Sequence, residues 1–171
     1  MKKICILFVC SMLGLLAANA QKFAMIDMEY ILENIPAYQK ANEELNLLSQ
    51  QYQKAIEAKA KEAESLYLAY QKSAGSLNDT QRTPKEEDIV AKEKEVAELR
   101  KKYFGPEGEM AKRQDTLITP IQDNVYEAVK RIAQQKGYDA VIDRASATSV
   151  IFASPRIDVS NEVLSILGYS K

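Results

Sequence analysis

Between residues 37 and 74 the chain returns to an apolar or aromatic residue after steps of four, three and four positions. Ala41, Leu45, Leu48, Tyr52, Ile56, Lys59, Ala63, Tyr67, Tyr70 and Ala74 follow this rule, and Lys59 is its only polar member. The steps add to an eleven-residue period, about 3.67 residues per turn, which keeps one apolar stripe on one side of a helix with little or slightly right-handed supercoiling. At about 1.5 Å per residue such a helix reaches roughly 57 Å. A stripe of that length needs a second helix to cover it.

The segment "GSLNDTQRTPKEED", residues 75–88, supplies the turn that returns the chain. Gly75 and Ser76 break the first helix, and Asn78 and Asp79 favour a turn. Thr83, Pro84 and Glu86 have the spacing of a capping box with proline at the first helical position, so the returning helix is expected to start there and the tip to lie near residues 75–84. Val96, Leu99 and Tyr103, then Leu117, Ile121, Val125, Ala128 and Ile132, recur at three and four. Glu98 with Lys102, Glu109 with Arg113, and Glu127 with Arg131 are expected as supporting pairs along the helix. The result is an antiparallel helical hairpin, a coiled-coil arm over residues 37–136.

Two interruptions are expected in the return. Phe104, Gly105, Pro106, Glu107 and Gly108 stop or kink the helix, because proline lacks a donor and glycine lowers the cost of irregular backbone. Gly105, Pro106 and Gly108 then form either a hinge or a spacer near 104–108. Thr119, Pro120 and Gln122 resemble a second capping box, which predicts another bend.

The pattern changes at both ends. Residues 23–27, 138–143 and 149–153 read as short strands, residues 28–33 as a short helix, and residues 159–167 as a last helix capped by Asp158 and stopped by Gly168. Residues 21–36 and 137–171 therefore form a β-rich body. Three strands of about five residues with one helix bury too little to stand alone. Val141, Ile142, Val150, Ile151 and Phe152 put apolar side chains on both faces of their strands, and Phe23 and Met25 join them in the first strand. Association of copies through the sheet is expected, and a closed ring would also remove the exposed edges.

Composition narrows the chemistry. Lys2 and Lys3, the apolar run from Ile4 to Leu16, and Ala18-Asn19-Ala20 read as a leader over residues 1–20, cleaved before Gln21. A lipid-anchored reading through Cys10 is disfavoured by the bulky Phe8 and Val9 before it. Cys5 and Cys10 are the two cysteines and both lie in the leader, while the chain contains no His or Trp. Imidazole bases, thiolates and the usual zinc ligands are thus missing from the exported chain, and no glycine-rich phosphate loop is present. No enzyme activity and no cofactor are expected.

Asp139 and Asp143 read as strand ends and Asp158 as a helix cap rather than as a metal cluster. Asn78-Asp79-Thr80 matches a glycosylation sequon but reads as a solvated tip. Without Lys2 and Lys3, 21 of the 23 basic residues remain against 24 acidic ones, a net charge near −3 that argues against nucleic acid. Residues 37–136 hold 17 basic and 17 acidic side chains, so the acidity sits at the ends.

Four segments together, "KFAMIDMEYIL", "YDAVID", "SVIFAS" and "RIDVSNEVLSIL", resemble the Skp/OmpH family of periplasmic chaperones. The resemblance spans the chain beyond the leader. It implies a homotrimer whose three-stranded sheets build a central barrel, with helical hairpins around a cavity that holds unfolded outer-membrane proteins without ATP. Within that scheme Leu45, Leu48 and Ile56 are expected to pack the hairpin, and Tyr52, Tyr67, Tyr70 and Tyr103 are candidates to face the client. Two departures stand out. The arms are neutral where the best-known members are strongly basic, so charge gives no support for membrane or lipopolysaccharide contact; and "FGPEGE" is absent from the plainest family pattern. The rival expectation is a structural hairpin or adaptor of the cell envelope that grips a folded partner through the tip.

Overall fold

The computed structural model describes residues 21–169. The expected leader with Cys5 and Cys10 lies outside the described residues. Element order is β1 (Phe23–Ile26), α1 (Met28–Glu33), α2 (Pro36–Ser73), α3 (Asp79–Phe104), α4 (Glu109–Lys136), β2 (Ala140–Asp143) and α5 (Ser160–Ile166), with short 3-10 turns at Ala74–Ser76 and Pro155–Ile157. The described residues fall into two compact units. One comprises residues up to Ile31 and from Val125 onward, the other Leu32–Asn124.

In the second unit, α2 begins with Pro36, whose missing N–H costs nothing at a first helical position. The eleven-residue stripe describes its buried side: every member is buried or half-buried except Tyr67. Ile56 and Ala63 on α2 and Ile89 and Val96 on α3 are buried. Contacts between Tyr70 and Glu86 near the turn and between Tyr52 and Tyr103 farther from it advance in opposite directions along the chain, so α2 and α3 are antiparallel.

The return starts earlier than its sequence suggests. Asn78 is the cap: its side chain accepts from the Gln81 N–H at 3.0 Å, and the Gln81 side chain accepts from the Asn78 N–H at 3.3 Å. Helix α3 is thus under way when Pro84 arrives, and Thr83 caps nothing; its hydroxyl instead donates to the Asp79 carbonyl at 3.0 Å. The two boxes competed for one helix start, and the one nearer the turn satisfied the free amides first.

The second capping box expected at Thr119-Pro120 starts no new helix, because α4 runs through Pro120. Ile118, Val125, Ala128 and Ile132 are all buried along this helix, and that burial offsets the roughly 3 kcal/mol that an interior proline costs. The break at residues 104–108 is present. Gly105 leaves helical geometry at φ −65°, ψ 167°, and α4 restarts at Glu109.

The first unit holds the sheet. β1 and β2 run parallel, with Phe23 opposite Ala140, Met25 opposite Ile142 and Ile26 opposite Asp143. Among the described residues the sheet has two strands, not three. Residues 149–153 are not a strand, and β1 takes a different neighbour. Its second edge is taken by the chain just before α5, where Met25 bridges to Asp158 and the Val159 N–H donates to the Met25 carbonyl at 2.8 Å. The Ser160 hydroxyl extends that edge, accepting from the Asp27 N–H at 2.9 Å and donating to Asp158 Oδ1 at 2.6 Å.

The core of this unit is closed by its own chain. Ala24, Met25 and Ile26 are buried with Ile31, Val125, Ala128, Ile132, Val159, Val163 and Leu164. The end of α4, expected to serve only the arm, is part of this core. Met25, expected to join copies, is an interior residue of this unit, 7% exposed. Gly137, at φ 67°, ends α4 in the left-handed region that favours glycine.

Candidate functional site

The four tyrosines expected to face a client fall into two pairs in the second unit. Tyr52 and Tyr103 meet at the break. Their rings stack with centroids 4.0 Å apart at 3°, and Phe104 meets Tyr52 edge-on at 6.2 Å. The Tyr52 hydroxyl donates to Glu109 at 2.6 Å, and Lys102 lies 3.5 Å from the same carboxylate and 5.4 Å above the Tyr103 ring. Tyr67 and Tyr70 lie nearer the turn. Tyr70 donates to Glu86, while the exposed Tyr67 accepts from Gln71 at 3.0 Å.

Charge at the break follows from these bonds. The Glu109 carboxyl is held below its ordinary value, first by the Tyr52 hydroxyl and then by Lys102, against the opposing effect of burial. The same hydrogen bond raises the Tyr52 phenol, with burial adding to it. Arg113, expected to pair along its helix with Glu109, instead binds Glu44 on α2 through Nε and Nη2. Glu98 pairs with Lys94 at 3.9 Å and Glu127 with Lys130 at 3.3 Å, so none of the three anticipated pairs forms as spaced. Lys102 and Arg113 found carboxylates across a break and on another helix.

Beside Tyr52 a cleft of about 620 Å³ opens between α2 and the first turns of α4. Glu44, Leu47, Leu48, Tyr52, Glu109 and Arg113 are among its lining residues, an apolar floor with charge of both signs at the rim. Leu47 is 61% exposed. Leu66 and Leu68 on α2 also face solvent, as do Phe104 and the 62% exposed Val90 on α3. These residues were not anticipated, because the eleven-residue stripe finds the side that packs. The signal that could have found them is the complement: Leu47, Leu66, Leu68 and Val90 are apolar positions off the stripe.

The residues expected to join copies lie in the first unit and differ in exposure. Val141, Ile142 and Val150 are half-buried and Phe23 is exposed. Ile151 and Phe152 are 101% and 83% exposed. The aspartates nearby are structural. Arg144 pairs with Asp27 at 2.9 Å and stands 3.7 Å from Asp158, and Asp143 accepts from the Met28 N–H at 3.1 Å. Among the described residues no group of three or more acidic side chains is placed to hold a metal ion, and no helix is long and apolar enough to cross a membrane.

Comparison with known proteins bears on the whole of this layout. The model of the family described as outer membrane protein (OmpH-like) matches residues 22–167. The chaperone protein Skp of Yersinia enterocolitica is 26% identical over 148 residues, covering 86% of this chain and 87% of that protein. Skp of Photorhabdus laumondii is 24% identical over 148 residues, covering 86% of each. The crystal structure of an OmpH-like protein from Caulobacter crescentus CB15 superposes with a TM-score of 0.63 at 10% identity, over 88% of this chain and 86% of that one, a likeness of fold.

Proposed function

The chain belongs to the OmpH-like family of outer membrane proteins, which includes the Skp chaperones, and on that premise we propose that it is an ATP-independent periplasmic holdase. It binds unfolded outer-membrane proteins after export and keeps their apolar strands apart until assembly. The observation that supports this reading is the set of exposed apolar side chains spread over the two paired helices of the helical unit, Leu47, Leu66, Tyr67 and Leu68 on α2 and Val90 on α3. Spread along two helices, they offer several weak contacts and no single pocket, which suits a client without fixed shape.

The active form in this reading is a homotrimer, with the helical arms of three copies closing on one client. Tyr67, with its exposed ring, is the tyrosine best placed for client contact, whereas Tyr52, Tyr70 and Tyr103 are engaged with neighbouring side chains. A leader cleaved before Gln21 would deliver the chain to the periplasm. The balanced charge of the helical segment offers no basis for nucleic-acid binding.

The test dilutes a denatured outer-membrane barrel into buffer with and without the protein. Retention of the barrel in solution, at about one trimer per client, is expected. Precipitation as in buffer alone rejects the holdase reading, and selective capture of one folded envelope partner through the turn would favour an adaptor.

A further inference from the structure

Glycine-containing breaks are commonly free joints, but the one between α3 and α4 is tightly built. A Cβ on Gly105 would stand 2.3 Å from the Lys101 carbonyl oxygen, and one on Gly108 would stand 2.9 Å from Gly105 and from the Lys102 carbonyl oxygen. Backbone bonds within the break are short-range: Gly105 N–H to Lys101 O at 2.9 Å and Gly108 N–H to Gly105 O at 2.9 Å. They shape the turn itself but leave the direction of α4 to be fixed from outside. One side chain on α2 touches both lips. The Tyr52 ring lies on Tyr103 in the last turn of α3, and its hydroxyl reaches Glu109, the first residue of α4.

We infer that Tyr52 is a clasp, which by stacking on Tyr103 and hydrogen-bonding Glu109 fixes the angle at which α4 leaves the break. The two contacts are chemically different and act on opposite sides of the break, so an apolar ring alone can supply the first but not the second. Lys102 reinforces the second by pairing with Glu109 at 3.5 Å across the break. Phe104 adds an edge-on contact to the Tyr52 ring. The cleft beside Tyr52 is lined by both Tyr52 and Glu109, and the Glu44–Arg113 ion pair also joins α2 to α4 there. The inference concerns the helical unit alone and stands whether or not the protein holds clients.

The measurement is a spin-label distance across the break, between Glu93→Cys on α3 and Asp115→Cys on α4. Both positions are exposed, and the chain beyond the leader has no native cysteine. Labelled chains are diluted into unlabelled protein so that only distances within one copy are read. Wild type is expected to give a single narrow distribution. Tyr52→Phe keeps the stack and loses the hydroxyl, and broadens it; Tyr52→Ala loses both contacts and broadens it further, with helical circular dichroism retained. A distribution unchanged in Tyr52→Ala at wild-type helix content overturns the inference. Should Tyr52→Ala fail to fold, an unchanged distribution in Tyr52→Phe overturns it instead.

Discussion

Asp143 closes β2 with a carboxylate that binds backbone on two sides, accepting from the Met28 N–H and from the Ala145 N–H, each at 3.1 Å. Burial pushes this carboxyl up, but the Met28, Ala145 and Ser146 donors outweigh it and hold the group below its ordinary 3.8. The sign of the linkage follows. A carboxyl that is more acidic in the folded state than in the unfolded chain adds stability above the unfolded value, and that stability is lost as pH falls through the folded one. Asp143→Asn keeps an acceptor but removes the charge. It is expected to lower the urea midpoint at neutral pH, with the difference from wild type shrinking below about pH 4. A difference that stays constant from neutral to acid pH would show that the charge contributes nothing. The sequence marks Asp143 as a strand end, which it is, but the partner at Met28 is 115 positions away and no local pattern reports it.

Among the elements, the helices were written most clearly in the sequence, and their ends least. Ile56 and Ala63 are buried where the eleven-residue period puts them, because one stripe on a long helix must be covered by something. The start of α3 is ambiguous in the sequence because two capping signals lie five residues apart and only the geometry of the turn chooses between them. That choice gives a prediction. Asn78→Ala removes the side-chain acceptor for the Gln81 N–H and is expected to cost about 1 kcal/mol in a denaturant titration. Thr83→Ala, at the box that does not form, is expected to stay within about 0.5 kcal/mol of wild type. The reverse order of effects would place the helix start at Pro84 after all. Residues 149–153 failed as a strand for a different reason. β propensity in "SVIFAS" is real, but propensity does not choose a partner, and the second edge of β1 pairs with residues 158–160 instead. Tyr52 belongs to the same lesson: the stripe marks it as a packing residue, while the stack on Tyr103 and the bond to Glu109 depend on where the break falls.

At the scale of the whole molecule the question is what remains uncovered once each chain has closed its own core. Short terminal strands are expected to need a second copy to bury them. That premise fails at β1, since Ala24, Met25 and Ile26 are buried with residues of α4 and α5 from the same chain. The case for the proposed trimer therefore moves to Ile151 and Phe152, adjacent and among the most exposed large apolar side chains described. Fully burying two such side chains is worth about 1.5–3 kcal/mol each, repeated in every copy, a contribution that favours a closed ring. Putting a carboxylate there reverses the sign, because an unpaired charge in an apolar contact must be desolvated. Ile151→Asp with Phe152→Asp is expected to leave the thermal transition of the isolated fold close to its original place, since neither side chain is buried within one chain, and to shift sedimentation from trimer to monomer. Met25→Ala serves as the contrast: it should cost about 2–5 kcal/mol of folding stability by opening a cavity, with assembly following stability down and not preceding it. If the doubly substituted protein sediments with the wild type, Ile151 and Phe152 do not hold the copies together. If it becomes monomeric, client retention should fall with it, because three arms on one client raise the effective concentration of every contact and a single arm cannot.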